Sequence, residues 1–267
     1  MLSIAGDRPA PPGHDGLLAA SDDHRQSATD TWICSALDRH EKLLTLAAPS
    51  DADILLTRPG ASLTALAADD LDTAAKPVKL LQRALTEGYH GLGILIWADA
   101  VITATSRDTH AAIETVLAGL CRDHPVSVLC LYDRARGGDH LDLAITHHPD
   151  GLHDQHLTLR RTLRGTADTL LVDGEIDMTN LDVLAGALRA LTLSPSSTLR
   201  IDLRGVTFLA AAAGRTLDRD TAHHRDRGGR VEIHATRHIT RILQLLGMHT
   251  LPGIHLTTPS WPSPSPT

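Results

Sequence analysis

The sequence predicts a protein of two α/β domains, and three features of the chain predict it. Short apolar runs typical of buried strands alternate with amphipathic stretches of helical spacing. The alternation stops in a polar segment, residues 135–156, which is rich in Gly, His and Asp, and then starts again. At 267 residues and 42% apolar content, the chain can bury a core in each half. Strands separated by helices favour mainly parallel sheets covered on both faces.

In the first half, the spacing of apolar residues predicts three helices and three strands. The helices are predicted over residues 30–46, 78–87 and 110–121, and the strands over residues 53–57, 92–97 and 126–132. Gly88 should end the second helix, because glycine favours helix termination. The polar segment contains one short apolar island, residues 141–145, and we place the domain boundary near Asp150.

The second half repeats the alternation. Strands are predicted over residues 157–163, 169–174, 198–203, 230–234 and 254–257, and helices over residues 181–193, from about 211 to 224, and 238–247. The expected organisation is a flexible lead (1–12), a first domain (13–150), a second domain (157–258) and a disordered Pro/Ser-rich tail (259–267).

Composition argues against several classes of protein. The net charge is −7 and the charges are interspersed, so a nucleic-acid-binding face is not expected. The three cysteines are far apart and no CxxC occurs, which fits a reducing compartment and free thiols. No secretory signal and no apolar run of bilayer length is present, so we expect a cytoplasmic protein without membrane contact.

The motif search predicts neither an enzyme nor a cofactor protein. The chain has no G-x-S-x-G, no HExxH and no G-x-x-x-x-G-K-[ST], so no catalytic residue and no ATP hydrolysis are expected. A histidine-rich run raises the question of a metal, since imidazole is a common zinc ligand. It contains His140, His147, His148, His153 and His156. Only the last two have paired spacing, beside Pro149 and Gly151, so we interpret the run as a loop without a metal site.

Three segments of the second half resemble the STAS domain of anti-sigma-factor antagonists. They are GEIDMTN (174–180), LRIDLRGVTFLAAAAGRTL (199–217) and GGRVEIHATRHITRILQLLGM (228–248). The resemblance implies an α/β sandwich that docks on an anti-sigma factor or a related switch kinase. In regulated members, a serine at the start of the second helix is phosphorylated by the partner.

In this chain Ala211 stands where the resemblance places that serine, and Ala210 replaces the preceding aspartate. Phosphorylation at this point is therefore excluded, while docking is retained. The residues expected to bind the partner are Asp177, Thr179, Asn180, Ala210, Ala211, Ala212 and Arg215. An alternative is that the alanines only pack the helix start against the sheet. Thr207 is a candidate substitute acceptor, although a buried packing position is the interpretation we favour.

The first half resembles the MEDS sensory domain, through LCLYDRA (129–135), EGYHGLGI (87–94), Glu114, GHDGLLAASDD (13–23) and HHP (147–149). The resemblance implies a RecA-like fold without a phosphate-binding loop. Ligands of parallel sheets bind beyond the carboxyl ends of strands. The expected ligand rim is therefore Trp97, Asp99, Tyr132 and Asp133.

Together these observations predict a non-enzymatic signalling protein with a sensory first domain and a partner-binding second domain. The alternative is a small-molecule sensor in which the STAS-like domain is a structural or dimerisation module. The ligand, the partner and the oligomeric state are not predicted by the sequence.

Overall fold

The computed structural model describes residues 13–46, 63–67, 71, 73–164, 167–193 and 196–258. The chain divides into two compact units, the first ending at His148 and the second beginning at Pro149. The predicted lead (1–12), strand (53–57) and tail (259–267) lie outside the described residues.

The first unit is built on a parallel sheet. Its strands are β1 (His14–Ala19), β2 (Glu41–Leu46), β3 (Leu63–Ala65), β4 (Gly91–Trp97) and β5 (Val126–Asp133), in the order β1-β5-β4-β2-β3. All four neighbouring pairs are parallel. The carboxyl ends of these strands therefore lie at one edge of the sheet, where the helices and loops that follow them begin.

Five helices accompany these strands in the described part of the first unit. They are α1 (Asp22–Asp38), α2 (Ala75–Thr86), α3 (Ala98–Ala104), α4 (Arg107–Asp123) and α5 (Gly138–His147). Ser21 and Ser106 start α1 and α4, since each hydroxyl accepts a hydrogen bond from a first-turn backbone N–H. Between α1 and the sheet, Ile33 packs with Leu17 and Leu95 in an apolar cluster.

Two sequence predictions for this unit are wrong. Residues 30–46 are not one helix: α1 ends at Asp38 and residues 41–46 form β2. A short apolar run fits a buried strand as well as a helix, and here pairing with β3 and β4 decides for the strand. The polar segment after β5 is not a loop throughout, because it contains α5, whose apolar face (Leu141, Ala144 and Ile145) is buried.

The second unit combines antiparallel and parallel strands. They are β6 (Leu152–His153), β7 (Leu157–Arg164), β8 (Ala167–Ile176), β9 (Thr198–Leu209), β10 (Arg230–Ala235) and β11 (Ile254–Thr257). The order is β6-β7-β8-β9-β10-β11, antiparallel up to β8 and parallel beyond it. β9 extends to Leu209, well past the predicted end at residue 203.

Three α-helices complete the described part of the second unit: α6 (Leu181–Thr192), α7 (Ala211–Asp226) and α8 (Arg237–Leu245). α6 packs against β8 and α7, with Leu184, Leu188 and Leu191 fully buried. His224 is buried, and its ring lies over Gly229. Across the described residues, no helix has both the length and the apolar character needed to span a bilayer.

Candidate functional site

The ends of β8 and β9 bring the loop after β8 next to the start of α7. Glu175 lies opposite Phe208 in the parallel register, and Ile176 lies opposite Leu209. The backbone N–H of Ala210 donates to the carbonyl of Ile176 at 2.8 Å. The two segments for which the sequence predicts partner binding, 177–180 and 210–215, are therefore neighbours.

The start of α7 has no polar side-chain cap. Ala210 is the N-cap residue, with extended φ and ψ of −66° and 146°, and no side chain bonds the first-turn N–H groups from this position. Ala211 is exposed, whereas Ala212 and Ala213 are buried. The packing interpretation of the alanines thus applies to Ala212 and Ala213, and Ala211 presents its methyl group to the surface.

The loop after β8 is held by its own side chains. The Asp177 carboxylate accepts hydrogen bonds from the N–H and the hydroxyl of Thr179, at 2.7 and 2.6 Å. The Asn180 amide accepts from Asp177 N–H and donates to the Glu175 carbonyl. Asn180 is only 1% exposed. Asn180 and Ala212 were predicted to bind a partner. Both are buried and present no surface to a partner, so their roles are structural.

Exposed apolar side chains flank the start of α7. Met178 is 70% exposed and Phe208 is 51% exposed. Thr207 is also exposed, contrary to the prediction of a buried position, and its hydroxyl donates to the Gly174 carbonyl. β10 pairs with β9 only as far as Leu203, so the last part of β9 lacks that neighbour.

We define the helix-start surface as Met178, Thr179, Phe208, Ala211 and Arg215, which are all exposed. Arg215 lies one turn after Ala211 on the same face of α7. This surface combines apolar groups with one cation, and it lies at a helix N-terminus, where unpaired N–H groups favour negative charge.

In the first unit, the predicted ligand rim lies at the ends of β4 and β5. The Asp99 carboxylate accepts from Asp133 N–H and contacts His140 Nδ1, both at 2.5 Å. Trp97 is half-buried, with the Arg25 guanidinium 5.4 Å from its ring centre.

Tyr132 differs from the other three predicted rim residues, because it is 1% exposed and points into the unit. Its hydroxyl donates to Glu114 Oε1 at 3.1 Å and lies 2.9 Å from His110 Nε2. Burial lowers the pKa of His110 to about 4, so this imidazole is neutral at pH 7. Tyr132 therefore belongs to an interior network and does not line a rim.

The interior network centres on a buried cluster that the sequence did not predict. It consists of His14 on β1, Glu114 on α4, Cys130 on β5 and His148 after α5, all of them buried. The Glu114 Oε2 atom lies 2.7 Å from His14 Nε2, 3.4 Å from His148 Nε2 and 3.5 Å from Cys130 Sγ. The four potential ligand atoms all lie within 4.8 Å of one another.

The cluster controls the ionisation of its members. Burial by itself raises the pKa of Glu114, but electrostatic interaction with His148 and the hydrogen bond from His14 outweigh it and hold that pKa well below the ordinary value. Burial, together with the Glu114 charge, raises the pKa of the Cys130 thiol well above its ordinary value. In this state of the protein, Glu114 is ionised and Cys130 is a neutral thiol.

A signal for the cluster was present in the sequence. Three of its members lie in motifs that carry the resemblance of the first half: His14 in GHDGLLAASDD, Cys130 in LCLYDRA and His148 in HHP. The fourth member, Glu114, is itself one of the features that carry this resemblance. His148 was interpreted as part of a loop because its neighbours are polar. Local spacing does not show that residues so far apart in the chain meet.

Comparison with known proteins bears on the second unit. A family model described as "Mlab, STAS domain" matches residues 159–256. A solved structure of an anti-sigma factor antagonist from Mycobacterium paratuberculosis is 23% identical, with a TM-score of 0.33, and the match covers 37% of this chain and 85% of that one. No curated protein matches the chain. By this match, residues 159–256 of the chain are similar to the STAS domain family.

Proposed function

We propose that the chain is a non-enzymatic signalling protein whose STAS domain docks on an anti-sigma factor or a related switch kinase. The docking site is the helix-start surface. The observation that carries the proposal is the exposed methyl group of Ala211 at the start of α7, flanked by exposed Met178 and Phe208. The first unit is the sensory part, and the protein acts without nucleic acid.

Electrostatics explain why an alanine matters at this position. A phosphoryl group at a helix start adds nearly two negative charges, which the helix N-terminus stabilises in the free protein. The same charges oppose docking, because an interface must remove them from water. Ala211 has no hydroxyl, so this position keeps one charge state whatever the kinase activity of the partner.

The composition of the helix-start surface supports a protein partner. Met178 and Phe208 are large apolar side chains that the unit leaves in water, and exposed apolar patches mark interaction sites. Methionine, phenylalanine and arginine are enriched at protein interfaces, and Arg215 adds the third of these types. The carboxyl ends of β8 and β9 hold these groups on a rigid support.

The test is the effect of Ala211→Asp on partner affinity. The full chain is used to isolate its partner from extract of the native cell, and the purified partner is then titrated with wild type and variant. We expect at least about 100-fold weaker binding, because one unpaired charge buried at an interface costs several kcal/mol. The melting temperature should not fall, since a carboxylate at a helix start is favourable.

Leu193→Asp is the matched control. Leu193 is 85% exposed and directly follows α6. Its neighbour Thr192 is contacted by Arg227, which lies just after the end of α7. This position is at the other end of α7, about 24 Å from its start by helical rise. The control should bind like wild type. If Ala211→Asp also binds like wild type while remaining folded, the helix-start surface is not the docking site.

The alternative, in which the STAS domain is a dimerisation module, gives a different result. The isolated species would then be a second copy of this chain, with no anti-sigma factor or kinase. Equal loss of self-association in Ala211→Asp would assign the same surface to that contact.

A further inference from the structure

We propose that His14, Glu114, Cys130 and His148 bind one divalent transition-metal ion in the first unit, with zinc as the metal that fits best. Two imidazole nitrogens, one carboxylate oxygen and one thiolate sulfur form a ligand set that suits zinc. The four side chains come from four separate elements of the fold, and all are buried. This site is independent of the helix-start surface and of the docking proposal.

Three of the six distances between the donor atoms match tetrahedral coordination. Zinc bonds of about 2.0 to 2.3 Å place neighbouring ligand atoms about 3.3 to 3.7 Å apart. Glu114 Oε2 lies 3.4 Å from His148 Nε2 and 3.5 Å from Cys130 Sγ, and Cys130 Sγ lies 3.6 Å from His14 Nε2. One contact, His14 Nε2 to Glu114 Oε2 at 2.7 Å, must lengthen when the ion enters.

His148 provides a second and independent observation. Its Nδ1 lies 2.9 Å from the Ala144 carbonyl oxygen, an acceptor, so this nitrogen carries the proton and donates it. In the neutral ring, Nε2 then presents a lone pair into the cluster. This buried Nε2 has no hydrogen-bond partner among the described residues, and it faces the Glu114 carboxylate. A metal ion between these two atoms would accept both lone pairs.

The surroundings of the cluster have the features of a supporting shell. Metal-bound histidines donate their other N–H to a carbonyl or carboxylate, as His148 does to Ala144. The Tyr132 hydroxyl donates to Glu114 Oε1 and leaves Oε2 directed at the three other ligands. Gly16 makes room for the imidazole, because a Cβ there would lie 2.7 Å from His148 Cγ.

Charge balance allows a divalent ion in the buried cluster. The Glu114 carboxylate and the Cys130 thiolate carry two negative charges, and two neutral imidazoles add none, so a divalent cation makes the site neutral. A neutral site avoids most of the cost of burying charge. On binding, the Cys130 thiol gives its proton to solvent, any proton on His14 Nε2 or His148 Nε2 also leaves that atom, and the sulfur and the two nitrogens take the metal.

Cobalt substitution of the full chain tests the site directly. Because the cluster is buried, the protein is unfolded in urea and refolded with Co²⁺, and free ion is then removed. We expect about one bound ion per chain, visible ligand-field bands of tetrahedral cobalt, and a near-ultraviolet thiolate-to-cobalt band. A parallel refolding with Zn²⁺ should retain about one equivalent by elemental analysis.

Variants then assign the ligands. The chain has three cysteines, so the double variant Cys34→Ser/Cys121→Ser leaves Cys130 as its one thiol and must keep the thiolate band. Cys130→Ala should lose that band, and His148→Ala should lose at least about tenfold in bound metal. His140→Ala is the matched control, since His140 is a half-buried histidine that contacts Asp99 and lies outside the cluster.

The double variant keeps the proposal falsifiable even if the ligand variants fail to fold. A folded double variant that retains no cobalt, or retains it without a thiolate band, overturns the proposal. Equal metal retention by wild type, folded Cys130→Ala and folded His148→Ala also overturns it.

Discussion

The two units of this chain are distinguished by different kinds of group. The first unit buries Glu114 among two histidines and a cysteine, with no arginine or lysine within reach among the described residues. In the second unit, the buried carboxylates Asp168 and Asp202 each pair with an arginine, and the distinctive feature is an exposed methyl group at a helix start.

The difference between a buried cluster and an exposed surface indicates the size of ligand that each unit can bind. Donor atoms enclosed in a core can contact an ion or a very small molecule but no protein surface. The helix-start surface offers apolar area at the outside, which suits a macromolecule. Buried donors cost free energy unless they are satisfied. The first unit therefore bears a cost in free energy for its cluster.

Removal of the Glu114 carboxylate should break this contrast most strongly. Glu114→Ala leaves His14 and His148 without their acidic partner, and loss of one member of a buried ion pair costs about 3 to 5 kcal/mol. The measurement is hydrogen exchange, by mass spectrometry, of peptides from β1 and β5. Glu232→Ala is the control in the second unit, since this partly exposed residue pairs with Arg200. It should cost about 1 kcal/mol or less. Similar losses in both variants would contradict the contrast.

Two glycine-to-alanine substitutions in the first unit should change the free energy of unfolding in opposite directions. Gly16→Ala places a methyl group against the His148 ring, and overpacking of this kind costs about 1 to 3 kcal/mol. Gly119→Ala, inside α4, meets nothing within 4 Å and should stabilise the helix by about 1 kcal/mol. Urea denaturation of the full chain compares the two. If Gly16→Ala is as stable as wild type, the His148 ring does not require the space that Gly16 leaves.

The smallest expected effect is at the helix start of the second unit. Ala210→Ser supplies the missing N-cap hydroxyl at a residue that already has extended φ and ψ, and it should stabilise α7 by about 1 kcal/mol. Exchange protection in peptides from the first turn of α7 reports the change. Ala211→Ser, one residue inside the helix, serves as the comparison and should gain less. An equal gain at both positions would show that capping is not the cause.

The sequence by itself determined most of the element order in the described residues, because strand and helix periods are local properties. The apolar pattern of residues 181–193 predicts α6 to within one residue, and residues 126–132 predict β5 equally well. The absence of a hydroxyl at Ala211 is likewise a property of the sequence alone.

Tertiary structure decided what no local pattern contains. The six residues of β2 form a strand because β3 and β4 pair with them. α5 forms in a polar segment because its apolar face is buried against the sheet. Asn180 and Ala212 are structural because of their burial. The cluster of His14, Glu114, Cys130 and His148 depends on the register of β1 with β5 and on how α4 and α5 pack. Residues more than a hundred positions apart meet only when the whole core of the first unit closes around them.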